Sequence, residues 1–247
     1  CRCTAPTTNT PSSSINCYTI RIVEERLNKY LAFHLGVSRR EADGYIEKGR
    51  VQVNSTLAII GDRILPTDTV TVDGKPIQTK KHFTYVLLNK PVGYVSSRKQ
   101  QGEFPTLYDL IPKELHHLKP VGRLDKDSSG VLLLSDDGTF AYEMTHPKFH
   151  KTKQYEITLN APLEPLHQQM ISDYGVMLED GPSKLVLEQQ GDDRTTWVVH
   201  MHEGRNRQIR RTFAALGYEV TVLHRTQFGA YTLEGVPPGA YAVTEKR

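Results

Sequence analysis

The sequence predicts an α+β protein in two parts: a small N-terminal module opening with two helices, and a larger domain of short strands. Three observations carry that expectation. Apolar residues recur at helical spacing between Arg26 and Gly49. From Val51 onward, short apolar runs alternate with turn signals. A polar, unpatterned stretch, residues 79–84, separates regions of different character. The 247 residues, 38% hydrophobic and 24% charged, suit one small and one medium globular domain. No apolar run approaches the roughly 20 residues that span a bilayer.

Residues 1–20 are rich in Thr, Ser, Pro and Asn and contain no Asp or Glu. Such a segment lacks the apolar surface to fold, so a disordered tail is expected. Acid-poor, Ser-rich segments also serve as organelle transit peptides, but this one has a single arginine and no amphipathic pattern. A cytoplasmic protein is expected, with organelle import following only if the tail is a transit peptide. Cys1, Cys3 and Cys17 all lie in it and form no disulfide framework or zinc-knuckle spacing.

The first helix is expected over 26–35, where Leu27, Tyr30, Leu31 and Leu35 share one face. Ser38 and Glu41 have capping-box spacing and open a second helix, whose stripe is Ala42, Tyr45 and Ile46 and whose stop is Gly49. Val51 and Val53 alternate with polar neighbours as a short strand. Asp73-Gly74 sits between Val70-Thr71-Val72 and Lys75-Pro76-Ile77, which predicts a tight hairpin. Residues 21–81 hold 11 Lys/Arg against 8 Asp/Glu, whereas residues 82–247 hold 19 against 20. The basic excess sits with the module, where Arg39, Arg40, Lys48 and Arg50 bracket the second helix. On charge alone they read as a solvated face or as phosphate ligands.

Tyr85-Val86-Leu87-Leu88-Asn89 reads as a strand broken by Lys90-Pro91-Val92-Gly93. Gly122 and Gly130 bracket a polar loop with two carboxylates, Asp125 and Asp127, which runs into the apolar strand Val131-Leu132-Leu133-Leu134. Catalytic groups tend to sit on such loops, but Asp also occupies turns for its own backbone bonds. Tyr155 is placed just before a strand at 156–159. Thr196-Trp197-Val198-Val199 reads as a core strand. Residues 207–216 form a helix with Ile209, Phe213 and Leu216 on its core face, crowded at its start by Arg205, Arg207, Arg210 and Arg211. Pro147 works against helical presentation of His146 and His150, and His200/His202 lack a third ligand, so no metal is expected.

Two resemblances sharpen this reading. Arg26-Leu27-Asn28-Lys29-Tyr30-Leu31, Gly36 to Ala42 and Gly49 to Asn54 together resemble the RNA-binding module of ribosomal protein S-four. That implies phosphate contacts by Arg39, Arg40 and Arg50. The segment Gly122-Arg123-Leu124-Asp125 resembles the signature of the RsuA/RluB-like pseudouridine synthases. So do Lys90 to Gly93, Leu132 to Gly138 with Thr145-His146-Pro147, and Glu203-Gly204-Arg205-Asn206-Arg207-Gln208-Ile209-Arg210-Arg211.

The resemblance implies catalytic roles for Asp125, Tyr155 and Arg210, with Arg210 turned inward to pair with Asp125. It implies RNA contacts by Arg123, Arg205, Arg207 and Arg211, and an apolar wall against uracil from Ile209. The implied layout is an RNA-binding module (21–78), a linker (79–84) and a catalytic domain (85–247). That domain is expected on a mostly antiparallel curved sheet flanked by helices, with RNA across one face and Asp125 in a cleft. The implied reaction needs no cofactor, because uridine and pseudouridine have the same composition. Ribosomal RNA or an assembly intermediate is the expected partner, large-subunit RNA slightly favoured, and a monomer without membrane attachment is expected. A non-catalytic ribosome-assembly factor is the main alternative; a glycosidase-like use of Asp125 and Asp127 leaves the N-terminal module unexplained.

Overall fold

The computed structural model describes residues 24–77 and 82–247. The expected tail, its cysteines and part of the expected linker lie outside those residues. The chain divides into two compact units between Gln78 and Thr79. Among the described residues, no helix is long and apolar enough to cross a membrane.

The first unit contains β1 (Glu25–Arg26), α1 (Leu27–Leu35), α2 (Arg39–Glu47), β2 (Val51–Val53), β3 (Thr56–Leu57), β4 (Arg63–Ile64), β5 (Val70–Val72) and β6 (Lys75–Pro76). Gly36, at φ 72°, ends α1 in the left-handed region. The capping box on α2 is formed: Ser38 Oγ accepts from Glu41 N at 3.1 Å, and Ser38 N donates to the Glu41 carboxylate at 2.6 Å. Leu27, Leu31, Ala42 and Ile46 bury one face of the helix pair against Val51, Ile64 and Val70 of the small sheet. Leu35, expected on that face, is exposed at the last residue of α1, where Gly36 ends the helix. Asp73 (φ 50°) and Gly74 (φ 74°) both adopt the left-handed conformation demanded by the two-residue β5–β6 turn.

The second unit holds β7 (Tyr85–Lys90), β8 (Lys119–Val121), β9 (Ser129–Ser135), α3 (Gly138–Thr145), β10 (Lys153–Leu159), α4 (Pro165–Gln169), β11 (Val176–Leu178), β12 (Gly181–Ser183), β13 (Val186–Gln190), β14 (Thr196–Met201), α5 (Gln208–Ala214), β15 (Val220–Phe228), β16 (Tyr231–Thr232) and β17 (Tyr241–Thr244). Nine strands make one mixed sheet, in order β13-β14-β10-β15-β9-β7-β17, with β8 on β9 and β16 on β15. Every pairing is antiparallel except β9 with β15, which run parallel for Ser129–Gly130 against His224–Arg225.

The unbroken apolar run in β9 has a direct cause. Successive side chains alternate between faces, and both faces are covered. Leu132 and Leu134 join the core with Ile157, Trp197, Ile209 and Phe213, under α5. Val131 and Leu133 join the opposite core with Phe140, Met144 and Phe228, under α3. Asp137 caps α3 by accepting from Thr139 N and Phe140 N at 2.9 and 3.0 Å. Tyr155 lies inside β10, opposite Val199 and Arg225, rather than ahead of the strand. The strand begins at Lys153 because Lys153 already pairs with Met201 and Phe228.

Candidate active site

The Asp125 loop leaves β8 at Gly122 (φ 76°) and enters β9 at Ser129. It is held by its main chain from several sides. The fully buried Lys90 Nζ donates to the carbonyls of Ser128 at 2.7 Å and Pro91 at 2.8 Å. Gly93 N donates to Lys126 O at 2.8 Å, and Ser96 Oγ to Leu124 O at 2.7 Å. The Lys90-Pro91-Val92-Gly93 segment is therefore the bracket of the loop. Burial lowers the Lys90 pKa to about 8, against the pull of Asp125 and Asp127 toward the charged form.

A cleft of about 510 Å³ opens beside this loop. Asp125, Arg123, Tyr155, Ile209, Arg205 and Arg207 all line it. The Asp125 side chain is 38% exposed, so its carboxylate is open to the cleft. Tyr155, Ile209, Leu223, Met201 and Phe228 form the apolar part of the wall.

Arg210 departs from expectation. It does not line the cleft; its guanidinium donates to the carbonyls of Val220 and, at 2.8 Å, Asp127. The cation within ion-pair distance of Asp125 is Arg207, whose Nη1 lies 3.6 Å from Asp125 Oδ2 and 3.8 Å from Asp127 Oδ2, while Arg210 feels both carboxylates at longer range. The reason is local. Arg207 takes φ 46° and ψ 32° ahead of α5, which begins only at Gln208. Arg210 then leaves the helix on the side of the Asp127 carbonyl and still braces the loop, through backbone.

The other arginines also have partners. Arg205 donates to Asp180 Oδ1 at 3.0 Å and to the carbonyls of Gly181 and Pro182; Arg211 Nη2 donates to Asp180 Oδ2 at 2.9 Å. They clamp the β11–β12 hairpin against α5 rather than standing free for phosphates. The Arg211 hydrogen bond holds the Asp180 carboxyl below the ordinary carboxylate range. In the first unit, Arg50 donates to the Asp73 carboxylate through Nε and Nη2 at 2.8 and 2.5 Å and lies 4.5 Å from the Tyr45 ring centroid. It fastens the β5–β6 turn instead of presenting a free cation. Arg39 and Arg40 are exposed.

Two cleft residues escaped the sequence reading. Lys153 donates to the carbonyls of His202 and Glu203 at 3.2 and 3.1 Å, tying β10 to the loop that carries Arg205 and Arg207. Burial, then the charge of Arg225, lowers its pKa to about 8. Arg225, 2% exposed, donates through Nε to Val131 O at 2.8 Å and through Nη1 to Tyr155 Oη at 3.4 Å, while Nη2 has no partner. The signal was an arginine inside an otherwise strand-like run; its meaning required the β9–β15 pairing. Among the described residues, no three His, Cys, Asp or Glu side chains gather as metal ligands do.

Comparison with known proteins places the geometry in a class. Residues 84–215 match the family model described as RNA pseudouridylate synthase. The ribosomal large subunit pseudouridine synthase B of Bacillus subtilis is 35% identical over 87% of this chain and 90% of its own length. The ribosomal small subunit pseudouridine synthase A of Pasteurella multocida is 35% identical over 85% of this chain and 90% of its own. A solved pseudouridylate synthase, 32% identical, superposes with a TM-score of 0.64 over 89% of this chain and 96% of that one. The chain belongs to the RNA pseudouridine synthase family, in its RsuA/RluB-like branch.

Proposed function

We propose that this chain converts one uridine of ribosomal RNA to pseudouridine, with Asp125 acting on the ribose and Tyr155 and Ile209 holding the base. The observation that carries the reading is the convergence of the Asp125 carboxylate, the Tyr155 ring and the Arg207 guanidinium on one cleft. The target base leaves its stack to reach such a site. The C1′–N1 bond breaks, the uracil turns, and a C1′–C5 bond forms. The proton on C5 leaves and N1 ends protonated, so nothing is gained or lost. Asp125 serves either as nucleophile at C1′ or as base at C2′; both need it ionised, which the neighbouring Arg207 favours. Tyr155 lies against the base and is the group placed to help move its proton.

Arg123, on the cleft rim, is assigned to the RNA strand beside the vacated position. Arg39 and Arg40, exposed on α2, are assigned to phosphates, which makes the first unit an S-four-like RNA anchor. Arg50 supports that surface indirectly, through the β5–β6 turn. The relatives' names cover both ribosomal subunits. Large-subunit RNA is the first target to test, on the strength of residues 175–182 and the Arg205-Asn206-Arg207 triplet.

The test is tritium release from ribosomal RNA labelled at C5 of uracil. Wild type should release tritium and Asp125→Asn should not, while still binding RNA. Equal release by the variant would remove Asp125 from the chemistry. No release by wild type from either subunit's RNA, free or partly assembled, would leave a binding protein.

A further inference from the structure

α3 is amphipathic in a telling way. Phe140 and Met144 face the core, whereas Tyr142 points outward and is 45% exposed. The chain then turns through His146-Pro147-Lys148-Phe149, and Phe149 is 38% exposed. These side chains gather. The Tyr142 ring lies 4.7 Å from that of His146 and 5.6 Å from that of Phe149, the latter edge-on. Lys148 Nζ lies 5.0 Å from the Tyr142 centroid and 4.7 Å from the Phe149 centroid. Lys148 has no acidic partner among the described residues, and the nearest acid along the helix, Glu143, is paired with Lys246 at 3.0 Å. His146 Nδ1 accepts from Lys148 N at 3.3 Å, which leaves Nε2 as the ring's outward hydrogen-bonding atom.

The patch continues the Asp125 cleft, because Thr145 and Pro147 line that cleft. Open aromatic faces interleaved with cations take an unpaired nucleotide, the base on a ring and its phosphate on the lysine. We propose that Tyr142, His146, Lys148 and Phe149 form a docking site for a nucleotide flanking the uridine that enters the cleft. The inference rests on the RNA-modifying reading above and adds where the neighbouring strand is held. Lys148, now over the two rings, turns to the phosphate while a base takes a ring face. A second protein copy fits less well, since the patch is four side chains at a helix end and carries the cation Lys148, unpaired among the described residues.

The reporter is built in. The chain has one tryptophan, Trp197, and it is buried, so Phe149→Trp adds a surface fluorophore within the patch. With unmodified in vitro transcripts of large- and small-subunit RNA, Phe149→Trp fluorescence should quench saturably, and Lys148→Glu in that background should weaken the quench. Tyr142→Ala and Lys148→Glu should each raise KM for RNA about tenfold with kcat unchanged. Unaltered KM in both variants, or an unquenched tryptophan at saturating RNA, overturns the site. So does a concentration-dependent dimer that the same substitutions dissolve. The quench is read without turnover, so a wild type that releases no tritium, beside a Phe149→Trp variant that shows the quench, sinks the reaction and keeps the site.

Discussion

The guanidinium of Arg225 lies beneath Tyr155, with Nη1 3.4 Å from the phenolic oxygen and its carbon 5.9 Å from the ring centroid. Its Nε is spent on the carbonyl of Val131, across the junction of β15 and β9. One side chain therefore joins the aromatic wall of the cleft to the strand that continues from the Asp125 loop.

Arg225→Met should damage both fold and turnover. It leaves the buried Val131 carbonyl unpaired, a loss of about 1–3 kcal/mol in a urea titration. Freeing Tyr155 should lower single-turnover rates about a hundredfold. Arg225→Lys keeps the charge without the fork geometry and should fall between. Wild-type turnover in Arg225→Met would show that Tyr155 needs no support from below.

Gly130 stands where the two strands run parallel. A Cβ there would collide with the Arg225 carbonyl and come within 2.6 Å of its nitrogen, and φ is 108°. Backbone cannot yield as a side chain can. Gly130→Ala should cost more than about 4 kcal/mol or prevent soluble expression. A soluble variant with an unchanged melting temperature would contradict the close approach.

Arg207 and Arg210 should separate in a paired experiment. Arg207→Gln removes the cation beside Asp125 from an exposed position, so turnover should drop while thermal stability holds. Arg210→Gln leaves the carbonyls of Val220 and Asp127 short of a donor, so turnover and melting temperature should fall together. About 2–4 °C per kcal/mol is the expected scale for a domain of this size. Identical profiles for the two variants would refute the division of labour.

Lys153 makes the cleft pH-sensitive. With its pKa near 8, it loses its charge as pH rises from about 7 to 9, and RNA affinity at low salt should weaken across that range. Lys153→Arg, which does not titrate there, should flatten the curve. For stability the sign is opposite. The folded pKa lies below that of the unfolded chain, so the unfolded state holds more protons between about 8 and 10.4. The burial penalty on Lys153 and Lys90 is complete below 8 and is relieved as pH rises through that window. Urea midpoints for wild type against Lys153→Met, compared at about pH 7 and 9, check it: the gain at pH 9 should shrink in the variant.

Much of the fold was legible because its causes are local. The Ser38–Glu41 box, the Gly49 stop after α2 and the Asp73-Gly74 turn each depend on a few neighbouring residues, and each forms as its spacing predicts. The Asp125 loop announced itself by two glycines and the apolar strand that follows. Tyr155 was found through its motif, though its place inside β10 came from pairing with β14 and β15. The arginines of residues 205–211 were legible as a group and not as individuals. Each residue along a helix turns the side chain by about 100°, so the conformation of Arg207 decides which guanidinium faces Asp125.

The sequence by itself determined the two-part α+β organisation, the family, and the loop that carries Asp125. These follow from periodicity, caps and ordered motifs, which act over short stretches of chain. Only the tertiary structure decided that Arg207 rather than Arg210 meets the carboxylate, that Asp180 occupies Arg205 and Arg211, and that Arg225 sits under Tyr155. Those partnerships join residues far apart in the chain. Their geometry is set by strand register and by the close passage of Arg225 over Gly130, which no local pattern encodes.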